Sequence, residues 1–242
     1  MQAFVRKRMA PSGGSNQTVW SIIQAAGWPI WPLIFFSIAA LAICIERVIA
    51  LRRAQVLPEG LSEEVINACL KGLPPPGTIA AMTGPSVLGG VLAYALRALH
   101  EHPGMSADGW RVTFEEAGRL AQTRMQRYLG ALGTIASAAP LLGLMGTVIG
   151  MIEIFASQSA GDGGLGDPAQ LAQGISVALY NTAFGLMIAV PSLIAWRILR
   201  ARVDDYTLSL ELQAERFWRH ATPYVCRGTR SGSGAPVSRA GP

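Results

Sequence analysis

Charge is scarce in this sequence. Asp, Glu, Lys and Arg make up 14% of its 242 residues, while half of the residues are hydrophobic. A soluble protein of this length needs more polar surface, and here the apolar residues come in long runs. Cysteine is scarce too. Cys44, Cys69 and Cys226 form an odd set without metal spacing, and Cys44 lies in an apolar run, which excludes a disulfide framework. His100 and His102 stand in HEHPG at the end of a predicted helix, where solvated histidines fit better than a metal site. No nucleophile has a base nearby. The Gly-rich stretches follow no strand, so they make no phosphate loop. DGGLGD, Asp162 to Asp167, lacks the spaced carboxylates and terminal Glu of a calcium loop. These absences point away from an enzyme, and no cofactor is expected.

What is present is a set of three apolar runs: Trp28 to Ile45, Leu129 to Ile152, and Ala169 to Trp196. Each is long enough to cross a bilayer as a helix. The net charge of +5 is therefore no nucleic-acid signal. The basic residues lie beside the runs, where they set topology. Arg52, Arg53, Lys71, Arg97, Arg111, Arg119, Arg124 and Arg127 fall between the first and second runs, and Arg200, Arg202, Arg216 and Arg219 after the third. Between the second and third, Ala156 to Pro168 has no Lys or Arg, only Asp162 and Asp167. The basic regions are predicted cytoplasmic, and the hairpin and N-terminus external. Arg6, Lys7 and Arg8 conflict with that placement. They do not begin a signal peptide, because no apolar core follows; a start at Met9 removes the conflict.

The predicted organisation is an external segment over 1–27, membrane helices over 28–50, 129–155 and 169–198, a cytoplasmic helical region over 51–128, an external hairpin over 156–168, and a cytoplasmic helix with a disordered tail over 199–242. The external segment holds a short amphipathic helix, Thr18 to Ala26. Trp20, Trp28 and Trp31 suit an interfacial belt. Glu46-Arg47 ends the first span, and two readings of Glu46 stand: an ion pair at the membrane rim, or a proton relay. Ser62 is the expected cap of a helix with Glu63 and Glu64 in its first turn. LPPPG, Leu73 to Gly77, reads as a stiff linker. Pro85 and Ser86 open a helix with Val87, Leu88, Val91, Leu92, Leu96 and Leu99 on one side, too short to span. Ser106 to Asp108 opens a long helix carrying Trp110, Phe114, Ala117 and Ala121, expected to run unbroken into the second span. Pro191 is the expected kink of the third span. Val203 to His220 continues it as a polar helix with Tyr206, Leu210 and Phe217 on one side, and the tail from Gly228 is expected to be disordered.

The second run is not uniformly greasy. At 100° per residue, Gly133, Ala136, Pro140, Gly143, Thr147 and Gly150 share one face, with Leu142, Met145, Ile149 and Ile152 opposite. Small residues let backbones approach, so the first face is the predicted protein contact. Thr147 precedes Gly161 of the hairpin by about 14 residues and Thr182 follows Pro168 by about 14, so both lie roughly 20 Å from the turn. Antiparallel spans would bring the two hydroxyls to one level. Two readings remain on these residues alone: packing threonines, or the lining of a polar path.

Ile135 to Met151, IASAAPLLGLMGTVIGM, resembles the second membrane helix of the ExbB/TolQ/MotA proton-channel family, most of all its ExbB and TolQ branches. Gly174 to Leu193, GISVALYNTAFGLMIAVPSL, resembles the third, and Glu46 to Arg53, ERVIALRR, is a weaker match. The resemblance implies an all-α integral membrane protein of the bacterial inner membrane with three transmembrane helices, two of them extending into a helical cytoplasmic region. It also implies a ring-forming homo-oligomer, a pentamer. Thr147 and Thr182 match positions that line the family's ion path, and Asn181, next to Thr182, is a further candidate for the same path. Many relatives carry a glutamate where this chain has Val177. With no ionisable group in mid-helix, this chain's hydroxyls can only hydrogen-bond a proton carrier from another chain. By resemblance that carrier is the membrane aspartate of a single-span ExbD- or TolR-like subunit, working with a TonB-like transducer. A TolQ-like envelope-maintenance role and a non-conducting scaffold are the alternatives.

Overall fold

The computed structural model describes residues 28–159 and 168–231, all of its regular structure helical. The predicted amphipathic helix, the start at Met9, the hairpin apex and the last eleven tail residues lie outside them. Eight helices follow in order: α1 (Ile30–Ala50), α2 (Arg53–Val56), α3 (Leu61–Cys69), α4 (Pro76–Thr83), α5 (Val87–Glu101), α6 (Ala107–Gln126), α7 (Leu129–Ser159) and α8 (Pro168–Ser231). Three of the helical stretches are long and apolar enough to cross a membrane.

The chain divides into two compact units, one of Met1–Ala42 and Leu132–Ile194, the other of Ile43–Ala131 and Ala195–Pro242. In the first unit, Leu33 of α1 meets Ala139 of α7 and Ala189 of α8, with Phe36, Leu142, Phe184 and Ile188 packed around them. Most other large apolar side chains here, such as Phe35, Leu141, Val148 and Met187, are exposed. That pattern suits helices whose outer faces meet lipid or another helix.

The second unit has a water-soluble type of core. Trp110 and Phe114 of α6 and Phe217 of α8 form an aromatic cluster, with ring centroids 5.2 to 6.1 Å apart. The buried Trp110 Nε1–H donates to the Ala95 carbonyl at 2.8 Å, so its one polar atom is satisfied. Leu88, Leu92, Leu96 and Leu99 of α5 are fully buried, as are Val203 and Phe217 of α8. Ser86 and Ser106 cap α5 and α6, each accepting from the backbone N–H three residues on.

Several sequence expectations change. Ser62 caps nothing: Gly60, at φ 81°, precedes α3, and Leu61 is its first residue. This left-handed turn is open to glycine at little cost. The proline run is not linker throughout, because Pro76 opens α4, where a missing N–H leaves no bond unmade. The tail's first residues, Gly228 to Ser231, complete α8. The helix before the second span does not run into it unbroken. α6 stops at Gln126, Arg127 is extended (ψ 138°), and Tyr128 takes φ 63° before α7 begins.

The break has a physical cause. Arg47, its side chain 7% exposed, donates to the carbonyls of Met125 (3.2 Å) and Arg124 (3.4 Å) at the helix end, where the Arg124 carbonyl otherwise holds only a 3.4 Å bond from the Arg127 N–H. Its guanidinium also grips Glu46 in a bidentate ion pair, the first of the two readings of that carboxylate. Two cations approach the Tyr128 ring, Arg47 at 5.5 Å and Arg127 at 4.6 Å from its centre.

Cys69 is fully buried at the end of α3, and burial pushes its thiol up to about 11. About one molecule in a thousand then carries the thiolate at pH 8. Native protein should therefore leave Cys69 unmodified by iodoacetamide at that pH and label it once denatured. Peptide mass spectrometry reads the difference, and equal labelling in both states would mean that α3 does not stay packed. The raised thiol also stabilises the fold below pH 9, a contribution lost as pH rises from 9 towards 11.

Candidate functional site

The site is the seam between α7 and α8. Its α7 side is a strip of small residues, Ala139, Gly143, Gly146 and Gly150. A Cβ at Gly143 would sit 2.8 Å from the Asn181 carbonyl oxygen and 3.0 Å from the Thr182 Cα. One at Gly185 would sit 2.7 Å from the Ala139 carbonyl oxygen. The backbones therefore nearly touch, and only glycine fits at these two positions. Further along, Gly146 faces the Asn181 side chain and Gly150 faces Ala178.

This strip lies to one side of the face drawn from the sequence. Gly143 and Gly150 are in it. Ala136 is buried one turn below it, Gly133 and Pro140 are half-buried, and Thr147 stands at its edge. Gly146, Ala139 and Gly185 were missed. The first two repeat with Gly143 and Gly150 at spacings of four, three and four, a signal present in the sequence. Gly185 has no such signal, since its role appears only when α7 is laid against α8.

Asn181 is 2% exposed and fills the seam. Thr182 is half-buried, and its hydroxyl donates across the seam to the Gly143 carbonyl at 3.3 Å. Thr147, also half-buried, donates to the Leu144 carbonyl in its own helix at 2.7 Å. Residue 147 stands opposite about residue 180, so the two hydroxyls differ in depth by roughly 3 Å. By the 100° repeat, both fall on the same side of the seam. They are neighbours along one edge, and each hydroxyl turns to a backbone carbonyl. Thr147 also heads an open depression of about 610 Å³, lined by Val148, Met151, Ile152, Phe155 and Ala156.

Ionisable groups are few. Glu153, exposed and near the hairpin end, is the carboxylate of α7, and the apolar part of α8 has none. The backbone at Val177 is helical, but its side chain lies outside the described set. Among the described residues no group of three His, Cys, Asp or Glu side chains could hold a metal. What the arrangement offers is two hydroxyls on a tightly closed pair of helices.

Residues 85–212, more than half of the chain and the whole of this seam, match the model of the MotA/TolQ/ExbB proton channel family. The chain belongs to this family. An ExbB-like biopolymer transport protein of Synechocystis is 32% identical over 80% of this chain and 76% of its own length. The biopolymer transport protein exbB1 of Vibrio cholerae is 44% identical over 35% of this chain and 36% of its own. The Tol-Pal system protein TolQ of Pseudomonas aeruginosa is 34% identical over 48% of this chain and 53% of its own. The family match covers α7 entire and extends from α5 well along α8. A proton-channel family member of this kind is a membrane protein, and its three apolar stretches fit that setting.

Proposed function

We propose that this chain is a proton-channel subunit that couples the proton motive force to energy transduction in the cell envelope, in the ExbB manner, in support of TonB-dependent import across the outer membrane. The observation that carries the reading is the α7–α8 seam. Two threonine hydroxyls lie along one of its edges, and no carboxylate of the described helices lies between them. An uncharged edge cannot hold a proton, so the carrier comes from outside the chain. Its proposed source is the aspartate of a single-span ExbD- or TolR-like subunit, enclosed by a ring of copies of this chain, a pentamer. The aspartate takes a proton outside, passes the apolar wall neutral, and releases the proton inside. Each charge moved inward yields about 2.3 kcal/mol per 100 mV. The TolQ relative is the observation that favours a second reading, a motor for envelope maintenance, built on the same site.

In this reading the boundaries set out above hold: spans over 28–50, 129–155 and 169–198 in the inner membrane, residues 1–27 and 156–168 outside, and residues 51–128 and 199–242 inside. Cysteine placed at Ser159 should react with an impermeant maleimide in intact spheroplasts, and cysteine at Ser209 only after permeabilisation. The reverse pattern would remove the topology.

The function is tested by proton flux in vesicles containing this chain with and without the single-span subunit. Flux that needs both chains and stops when the subunit's aspartate becomes asparagine is the expected result. A purified complex that conducts nothing would leave a scaffold.

A further inference from the structure

We propose that Thr147 and Thr182 select the protonation state of the partner's acid, accepting a hydrogen bond from the neutral carboxylic acid and giving none to the carboxylate. This inference rests on the partner acid of the preceding reading.

A threonine hydroxyl has one proton to give and two lone pairs to offer. A carbonyl oxygen has no proton, so in each of the two observed bonds the threonine is the donor. Thr147 has spent its proton on the Leu144 carbonyl and Thr182 on the Gly143 carbonyl. Back-bonding of the Thr147 kind is a known local habit of hydroxyls in helices. The Thr182 bond lies where the two backbones meet, a Cβ on Gly143 reaching to 3.0 Å from the Thr182 Cα. What remains accessible at both half-buried side chains is the lone-pair side. A carboxylate is acceptor-only and finds no donor there, whereas a carboxylic acid carries the one O–H that fits. The two threonines share one side of the seam and lie within one helical turn of depth, so an acid passing along that edge meets an acceptor at both positions.

The consequence has a definite sign. Bonding to the neutral form raises the acid's ionisation midpoint, so the edge holds the acid neutral as it crosses. Had the hydroxyls served as donors, they would lower it. The other titratable side chains on the helices of this unit are Glu153 of α7 and Tyr180 of α8, both exposed, and the described part of α1 in the unit adds none. Glu153 lies six residues from Thr147, about 9 Å along the helix. As a like charge it also raises the midpoint, so the measurement is made in a Glu153→Gln background.

The experiment uses the full chain in lipid vesicles with the single-span subunit that co-purifies with it. The carboxyl stretching band of the subunit's aspartate is followed against pH, with its asparagine variant as the blank. Thr147→Val and Thr182→Val should each move the midpoint down by about half a unit to one unit, the size of a neutral hydrogen bond. Thr147→Ser and Thr182→Ser should restore it, because serine keeps the hydroxyl. An upward shift in the valine variants, or none in complexes that purify normally, overturns the proposal and leaves the channel reading standing. A serine variant that behaves like valine also overturns it, since the methyl group would then be the active part. If no aspartate-bearing subunit accompanies the chain, the channel reading fails and this proposal fails with it.

Discussion

Leucine in place of Gly143 or Gly185 is expected to destroy the packed seam. A Cβ at either position already lies within 2.8 Å of a carbonyl oxygen on the facing helix, and leucine adds three more carbons. The obstructing atoms are backbone, so no rotamer change relieves the contact and the helices must separate. Overpacking a close contact costs about 1–3 kcal/mol and more where nothing can give; a backbone-to-backbone seam belongs at the upper end. Such variants should leave the membrane fraction aggregated, or unfold at a markedly lower proportion of SDS in mixed micelles. Met145→Ala is the matched control, because Met145 is 39% exposed on the opposite face and its loss leaves the seam untouched. Equal unfolding midpoints for Gly143→Leu and Met145→Ala would remove the close seam.

Arg47→Ala is expected to release the joint between α6 and α7. The change leaves the Glu46 carboxylate without its bidentate partner and the Arg124 and Met125 carbonyls without the guanidinium, the Arg124 carbonyl keeping only its 3.4 Å bond from the Arg127 N–H. Glu46 is 48% exposed, so water relieves much of its loss. The carbonyls are less well placed, and hydrogen bonds to a charged group are worth on the order of 1.5–3 kcal/mol. Opening of the Arg127–Tyr128 link should rise roughly 10- to 150-fold on that scale. Limited trypsinolysis after the exposed Arg127 reads this directly, provided that the link closes faster than the enzyme cuts. Arg47→Lys should fall between, since an ammonium lacks the planar fork that holds the carboxylate and both carbonyls together. Unchanged cleavage in Arg47→Ala would mean that the left-handed Tyr128 is held by other contacts.

The sequence by itself determined the family and the three apolar stretches seen among the described residues, and it brought forward the two threonines of the proposed path. Length, composition and periodicity along one helix are local properties, and 24 uncharged residues in a row admit few structures. The starts of α5 and α6 at Ser86 and Ser106 were legible for the same reason, as each hydroxyl acts on a donor three residues away. Tertiary structure decided the rest. The end of α6 depends on Arg47, nearly 80 residues earlier in the chain, and nothing between Trp110 and Leu129 announces a stop. Gly146 and Gly185 became seam residues only when two helices were set in register, because a glycine's use lies in what comes close to it. The donors' directions at Thr147 and Thr182 were equally out of reach. Sequence supplied two hydroxyls, but where each sends its proton depends on the nearest carbonyl, and the backbone geometry of one helix or of two provides that carbonyl.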